Sequence, residues 1–470
     1  MRMKNETNRK KYLMKNTAIF AIGNFTTKLI AFILVPFYTY VLTTEEYGVI
    51  NLIFTICTVI SPLLMLNLQD AVRRFLLDKN ADQDAILTSE CIVVAFGHII
   101  GLCILPLLGL YNEISTYSVI IYFYLVSIST NVIAVEFLRG QEKMKTYVLC
   151  SVVSSLLVAV LNIFFLTKFH MGVKGYFLAF IIAYYVSTVI AVIAGKQYRV
   201  VTHWKFDASL FREMIKFSLP MIPNSLLWWV SSSSDHIMVS HIISTAANGI
   251  YTVSYKVPTL ISTISNIFMQ AWQISAIKDS DKKDSVEFSN KMLDAYIRLN
   301  VLITAGLLVI IKPFLRIYVS PEYFEAWKYT PFLIVGNAFL TLGTFVGTSY
   351  YVQKDMKGNM YSACSGAILN IILNIILIPT IGVQGAALAT CLSYIVVFIY
   401  RIFDTQKYLK LNFCRRDYLL FLIIVGLLLM LTYVEAMWHY ALMLLLLIVL
   451  IVLNISFIKP IITSILAKLK

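Results

Sequence analysis

The sequence predicts an all-α polytopic membrane protein with about 14 transmembrane helices. Of its 470 residues, 59% are hydrophobic and 14% are charged, whereas soluble domains contain about 25% charged residues. The mean hydropathy is +0.78. Apolar runs long enough to cross a bilayer as helices, about 20 residues each, alternate with short polar segments along the chain.

Fourteen spans follow when each apolar run is bounded by its polar turns. They cover residues 17–42, 47–68, 86–110, 117–138, 147–167, 175–195, 214–243, 248–277, 293–318, 328–352, 360–380, 384–403, 417–434 and 439–458. The expected domains are an N-terminal six-helix lobe (1–195), a cytosolic linker (196–213), a C-terminal six-helix lobe (214–404) and two additional helices (405–470).

The distribution of basic residues predicts the orientation of these spans. If the N-terminus is cytosolic, 32 of the 39 Lys and Arg residues lie in cytosolic segments and five in outer loops; Lys28 and Lys256 lie within spans. This bias follows the positive-inside rule and places both termini in the cytosol. The formal charge of +14 then reflects attraction to an anionic leaflet, and nucleic acid is not an expected partner.

Short motifs recur in the same order about 210 residues apart, which is the signature of an internal repeat. QEKMK at 141–145 matches QKDMK at 353–357, and GVKG at 172–175 matches GVQG at 382–385. Since each copy holds an even number of spans, the copies are expected to be parallel repeats. That architecture is typical of transporters, whose substrate path lies between the halves.

Lys28 is the first candidate binding residue, because it lies well inside the first apolar run with Asn24 one helical turn before it. A charge at that depth costs about 2.5–3.5 kcal/mol on insertion scales, so it normally faces a wet cavity or a partner. Snorkelling, or a structural pair with Asp235 or Glu136, is the alternative.

The seventh and eighth spans carry further polar groups. Asn224 and Asp235 lie on one face of the seventh, and a stripe along the eighth holds Lys256, Thr259, Thr263, Asn266, Gln270 and Gln273. The stripe suits either a substrate path or packing between helices, and Pro258 is expected to kink the helix. Arg73 near Asp70, and Glu136 near Arg139, fit either interfacial ion pairs or functional groups.

The sequence resembles the polysaccharide-unit flippases, the Wzx-type O-antigen and capsule exporters of the multidrug/oligosaccharidyl-lipid/polysaccharide superfamily. The motifs that carry this resemblance are GNFTTKLIAFILVPFYT at 23–39, LTTEEYG at 42–48, AVRRF at 71–75 and GVQGAALA at 382–389. The resemblance implies a MATE/MurJ-like two-lobed V around a central cavity that switches by alternating access. Peptidoglycan-precursor flippases of that superfamily carry cationic residues in their first and eighth helices, as Lys28 and Lys256 do here.

The implied function is flipping of undecaprenyl-pyrophosphate-linked oligosaccharide units to the outer leaflet of a bacterial plasma membrane. We expect no enzyme activity and no cofactor, since no GxxxxGK[ST] nucleotide motif occurs. Proton or sodium coupling is expected instead, with Asp235 and Glu136 as candidate carboxylates. Expected partners are membrane lipids, a polysaccharide polymerase and other assembly proteins. A cation-coupled multidrug efflux pump and a membrane glycosyltransferase or polymerase remain alternatives.

Overall fold

A computed structural model describes residues 23–78, 81–108, 112–279, 285–353, 355–413, 416–436, 438–460 and 463. Helices and their short connections make up these ranges, and none of the residues in them forms a β-strand. The chain divides into two compact units, Met1–Trp229 and Val230–Lys470. The boundary falls inside one helix, and the domain limits expected from the sequence stay predictions.

Within the described residues, the first unit contains a helical stretch, α1, at 23–41, followed by eight complete helices and the first part of a ninth. The others are α2 (Thr44–Leu64), α3 (Leu68–Leu76), α4 (Gln83–Leu108), α5 (Asn112–Ser115), α6 (Ser118–Gly140), α7 (Met144–Thr167), α8 (Gly172–Gly195), α9 (Ala208–Ser218) and α10 (Met221–Ile242), which continues into the second unit. A 3₁₀ turn, Gln197–Val201, follows α8.

The second unit continues with helices of more varied length. They are α11 (Thr245–Ser254), α12 (Pro258–Asp279), α13 (Ser285–Tyr318), α14 (Thr330–Val352), α15 (Met356–Ile381), α16 (Val383–Thr405), α17 (Arg416–Leu431) and α18 (His439–Leu453). A 3₁₀ segment, Pro321–Lys328, joins α13 to α14.

Nine helices within the described ranges are long and apolar enough to cross a membrane, judged by length and composition. They coincide with the second to sixth and the ninth to twelfth predicted spans, which confirms a multi-pass all-α membrane protein. The stretches α1, α10 and α12 are more polar, while α17 and α18 have only 16 and 15 residues. The total of about 14 spans and the repeat layout stay predictions.

Two of the predicted spans are interrupted. The second ends at Leu64, because Leu66 and Asn67 take positive φ angles of 51° before α3 begins. The eighth, expected as one kinked helix, consists of α11 and α12 separated by residues 255–257. Pro258 is the first residue of α12. Its missing N–H costs no hydrogen bond there, because the N–H groups of a first turn have no acceptor within the helix.

The GVKG and GVQG motifs form sharp connections between neighbouring helices. Gly172 and Gly382 adopt positive φ angles of 51° and 66°, which glycine reaches at little cost. At Gly385 a Cβ atom would collide with the carbonyl oxygen of Leu377. The motifs therefore have a physical reason to contain glycine: they turn α7 into α8 and α15 into α16 at close approach.

Each unit has its own hydrophobic core. In the first unit, α3, α4, α6 and α9 contribute buried residues that include Leu68, Ile86, Phe137 and Met214. In the second, Val239, Tyr251, Leu333 and Ile378 pack together from α10, α11, α14 and α15.

Candidate substrate and ion sites

Lys28 lies on an exposed face of α1. Its neighbour Asn24 is also exposed, and the Asn24 carbonyl oxygen accepts a hydrogen bond of 3.0 Å from the Thr27 hydroxyl. Two to three turns further along α1, Tyr38 is buried, and its hydroxyl accepts a hydrogen bond of 3.0 Å from Asn162. No ion pair joins Lys28 to another residue in the described ranges. The lysine side chain is therefore exposed, at a level of α1 where the helix is less buried than it is further along.

Arg73 and Glu136 belong to one ion-pair network at the ends of α3 and α6. Arg73 contacts Asp70 at 2.5 Å and Glu136 at 3.2 Å, and Arg139 contacts the other oxygen of Glu136 at 3.4 Å. The two guanidinium groups and two carboxylates balance in charge. The geometry thus favours the interfacial ion-pair interpretation over a site poised for substrate or for a free ion.

Asp235 is buried in α10, with 2% of its surface exposed. Its Oδ2 accepts hydrogen bonds from the hydroxyls of Tyr251 (2.7 Å), Tyr255 (2.6 Å) and Thr390 (3.1 Å). Three hydroxyl hydrogens directed at one oxygen match an ionised carboxylate, which only accepts hydrogen bonds. The other oxygen, Oδ1, accepts the backbone N–H of His236 at 3.0 Å. Within the described part of the unit no basic side chain forms an ion pair with Asp235, so hydroxyl and backbone dipoles surround the carboxylate.

An amide chain extends this cluster into α15. Asn374 donates to Asn370 at 3.0 Å, and Asn370 donates to Thr390 at 3.3 Å. The Oδ1 of Asn374 is buried and has no hydrogen-bond partner among the described residues. Carboxylate, amide and hydroxyl oxygens are ligands suited to hard cations. The sequence analysis identified Asp235 but missed its partners; the asparagines, four residues apart inside an apolar run, were the available signal.

The predicted polar stripe of α12 is only partly available for a ligand. Lys256 lies in the turn before the helix and is half-buried. The Thr259 and Thr263 hydroxyls each donate at 2.8 Å to carbonyl oxygens one turn earlier, those of Lys256 and Thr259. Asn266 is exposed. The side chains of the remaining candidates lie outside the described part of the structure: Asn224, Gln270 and Gln273.

Glu90 is a buried acid that the sequence analysis missed. It lies in α4 with none of its surface exposed, and both carboxylate oxygens have no hydrogen-bond partner among the described residues. A polar group left in this state costs about 1–3 kcal/mol. The signal was the one that identified Lys28: a single ionisable residue inside an apolar run.

An apolar groove of about 550 Å³ lies within the second unit. Its walls come from α13, α14, α16 and α17, and the polar side chains on it are Asn300, Thr304 and Tyr418. A Cβ atom added at Gly426, on the α17 wall, would meet no other atom within 4 Å. The groove therefore has room for an apolar chain.

Arg298 fastens the two C-terminal helices to α13. Its guanidinium bonds Asp294 (3.0 Å) in α13, Asp417 (2.9 Å) in α17 and Asn454 (2.9 Å) at the end of α18. The Tyr418 hydroxyl donates to the other Asp294 oxygen at 2.9 Å. One buried cation thus satisfies groups on three helices.

A metal centre has no support in the described residues, where no group of three His, Cys, Asp or Glu side chains is placed to hold a metal ion. The six cysteines in those ranges are free thiols.

Comparisons with known proteins agree with this architecture. One solved structure that shares the fold is the lipid II flippase MurJ in an inward closed conformation, with a TM-score of 0.70 at 17% identity over 95% of this chain and 100% of that one. Another is an inward-facing MATE family transporter of the MOP superfamily, with a TM-score of 0.68 at 12% identity over 82% of this chain and 97% of that one.

Curated relatives come from archaea as well as bacteria. The uncharacterized membrane protein MJ1375 of Methanocaldococcus jannaschii is 22% identical over 423 residues, which is 85% of this chain and 99% of that protein. The probable low-salt glycan biosynthesis flippase Agl15 of Haloferax volcanii is 23% identical over 208 residues, 43% of each chain. The family model described as "Polysaccharide biosynthesis protein" matches residues 13–273. The chain therefore belongs to the polysaccharide biosynthesis protein family, a family of transporters and not of enzymes, and has the fold of the MOP superfamily.

Proposed function

We propose that the protein flips undecaprenyl-pyrophosphate-linked oligosaccharide units from the cytosolic to the outer leaflet by alternating access. The observation that carries the proposal is the combination of a polysaccharide biosynthesis family match with the fold of a lipid II flippase over 95% of the chain. The cargo would serve synthesis of a capsule- or O-antigen-type polysaccharide at a bacterial plasma membrane, with both termini in the cytosol.

The charge pattern supports an anionic cargo. A pyrophosphate cannot cross hydrocarbon unpaired without a large desolvation cost, and Lys28 is an exposed cation within α1. In the proposal Lys28 and Lys256 neutralise the pyrophosphate in turn. Sugar hydroxyls bond the amides of Asn24, Asn224, Asn266 and Gln270. Arg73 would contact the cargo only after releasing Asp70 or Glu136.

The apolar groove beside α17 supports a cargo with a long hydrocarbon tail. Its lining is almost wholly aliphatic and aromatic, so an apolar chain held there would lose little of its favourable environment relative to lipid. We place the prenyl tail in this groove while the head group crosses.

Energy would come from an ion gradient, and no cofactor is needed. Asp235 is the preferred coupling residue, because its charge is balanced by hydroxyls and the nearby Asn374 oxygen lacks a donor in the described residues. A proton or sodium ion bound there would complete the cluster. Glu136 is the weaker candidate, since both of its oxygens contact arginines.

A cation-coupled multidrug efflux pump is the second candidate, favoured by the shared fold with a MATE transporter. The exposed Lys28 disfavours cationic drugs as cargo. The glycosyltransferase alternative has no support, because the chain belongs to a transporter family. Proposed partners are membrane lipids, a polysaccharide polymerase and other assembly proteins.

A binding experiment separates the two candidates. The full chain in detergent is titrated with undecaprenyl-pyrophosphate-linked oligosaccharide, with the same oligosaccharide lacking its lipid, and with ethidium as a soluble cationic compound. We expect saturable binding of the lipid-linked sugar, weakened by Lys28→Gln, and no binding of ethidium. Saturable binding of ethidium without binding of the lipid-linked sugar would support the efflux pump.

A further inference from the structure

A second pocket lies in the first unit, and its lining includes neither Lys28 nor any member of the ion-pair network of Arg73. It has a volume of about 520 Å³. Its lining includes the ends of four helices long and apolar enough to span a membrane: the start of α4, the end of α6, the start of α7 and the end of α8. Spans that run in opposite directions bring these two starts and two ends to one side of the membrane. The pocket therefore opens at one membrane–water interface.

The lining of this pocket is predominantly basic. Lys143, Lys196 and Arg199 contribute three positive charges, and Asp84 contributes one negative charge. The other polar side chains are Gln83 and Gln141, whose amides bond each other at 2.9 Å. Two positive charges are therefore left over within one small concave surface.

The excess positive charge acts on Lys143, which lines the pocket. Its ammonium donates one hydrogen bond of 2.8 Å to the carbonyl oxygen of Ala194, and an ammonium has three hydrogens to donate. Burial lowers the pKa of Lys143, and the neighbouring Lys196 lowers it further by repulsion. Two lysines that repel each other at the mouth of a pocket are stabilised by any anion bound between them.

Gln141 adds a polar atom that lacks a partner. Its amide nitrogen donates to Gln83 and, at 3.1 Å, to the carbonyl oxygen of Gly195. Its Oε1 is buried without a hydrogen-bond partner in the described residues. A ligand with a hydroxyl or ammonium group beside its anionic group would satisfy this oxygen.

We propose that this pocket binds a phosphate group, and that the phosphate is the head group of an anionic phospholipid of the adjoining leaflet. Basic pockets between spanning helices at an interface are suited to lipid head groups, because the acyl chains stay in the bilayer while cations contact the phosphate. The inference concerns a lipid site distinct from the proposed cargo path, and it holds whichever cargo the protein moves.

The test uses the purified full chain, delipidated in a nonionic detergent and titrated with phosphatidylglycerol. Bound lipid is counted by native mass spectrometry, and the melting temperature is followed in parallel. The pocket variant is Lys196→Gln with Arg199→Gln, which leaves the Lys143 contact to Ala194 intact. The matched control, Lys145→Gln with Lys216→Gln, removes the same charge from exposed positions outside the pocket.

We expect the pocket variant to bind phosphatidylglycerol about fivefold more weakly for each charge removed, whereas the control binds like the wild type. Asp84→Asn should act in the opposite direction and tighten binding. Phosphatidylcholine, which carries no net charge, should bind more weakly than phosphatidylglycerol to the wild type.

Three outcomes would overturn the proposal. Equal affinity of the pocket variant and the control would place the lipid elsewhere. Equal binding of phosphatidylglycerol and phosphatidylcholine would show that the pocket does not select lipids by net charge. Inorganic phosphate that binds and raises the melting temperature as well as the lipid does, at matched ionic strength, would assign the pocket to a soluble phosphate.

Discussion

Asp235 is the residue whose surroundings match most closely the ion-coupling role expected from the sequence. The sequence indicated only a carboxylate inside a span. The structure adds three hydroxyl donors, of which Tyr251 and Tyr255 lie in α11 and the turn after it, and Thr390 lies in α16. Thr390 is 155 positions away, so no local pattern could have paired it with Asp235.

Asp235→Asn should remove ion dependence from transport while the protein stays folded. An asparagine oxygen can still accept hydroxyl hydrogens, but the amide carries no charge to attract a cation. Transport in proteoliposomes is measured against proton and sodium gradients applied separately. Asp78→Asn is the control, because Asp78 is exposed and paired with Arg74. Gradient dependence that survives in Asp235→Asn would refute the coupling role.

Glu90→Met should raise the melting temperature of the protein. The substitution removes a wholly buried carboxyl group with no partner among the described residues, which costs about 1–3 kcal/mol. Glu136→Met is the control of opposite sign, because it removes the carboxylate that contacts both Arg73 and Arg139. Thermal unfolding in detergent reports both values. A fall in melting temperature for both variants would mean that Glu90 has a stabilising partner.

Arg298 of α13 contacts both C-terminal helices, through Asp417 in α17 and Asn454 at the end of α18. Arg298→Ala removes the guanidinium that Asp294, Asp417 and Asn454 share. Hydrogen bonds to a charged group contribute about 1.5–3 kcal/mol each when buried, and the half-exposed Asp417 contributes less. Lys291→Ala is the matched control, because Lys291 pairs with Glu287 at the same i,i+4 spacing on the exposed surface of the same helix.

We expect Arg298→Ala to lower the melting temperature and to expose the segment between α16 and α17 to protease, whereas Lys291→Ala changes neither. Equal effects of the two substitutions would show that the contacts of Arg298 do not hold α17 and α18 in place.

Gly426→Trp tests the groove beside α17. Because a Cβ atom at this position meets nothing within 4 Å, the larger side chain can enter the groove without disturbing the helix. We expect the variant to fold normally and to transport cargo with a long prenyl chain more slowly than cargo with a short one. The ratio of the two initial rates in proteoliposomes is the measurement. An unchanged ratio would remove the groove from the cargo path.

At the scale of the whole molecule, the helices were predictable from apolar runs, and the breaks within spans were not. The second to sixth and ninth to twelfth spans appear as helices at the expected places, because continuous apolar runs have few alternatives in a bilayer. The eighth is broken at residues 255–257, where polar groups and Pro258 allow the backbone to leave the helix. Contacts such as Arg298 to Asn454, 156 positions apart, need the tertiary fold.

The candidate site residues were also only partly predictable from the sequence. Charged residues inside apolar runs drew attention to Lys28 and Asp235, and the same criterion, applied throughout, would have included Glu90. This criterion could not distinguish side chains that form ion pairs in the fold from side chains that are exposed to a ligand. Arg73 and Glu136, at the ends of predicted spans, fitted either role from the sequence, and the structure holds them in ion pairs with each other, Asp70 and Arg139.

The central claim is that the protein moves a lipid-linked oligosaccharide between leaflets. The most direct measurement reconstitutes the chain in vesicles that carry this lipid in one leaflet and follows exposure of the sugar in the other with a membrane-impermeant lectin. We predict transfer by the wild type, partial transfer by Lys28→Arg and none by Lys28→Ala. No transfer by the wild type under any applied gradient, or full transfer by a well-folded Lys28→Ala protein, would contradict the account.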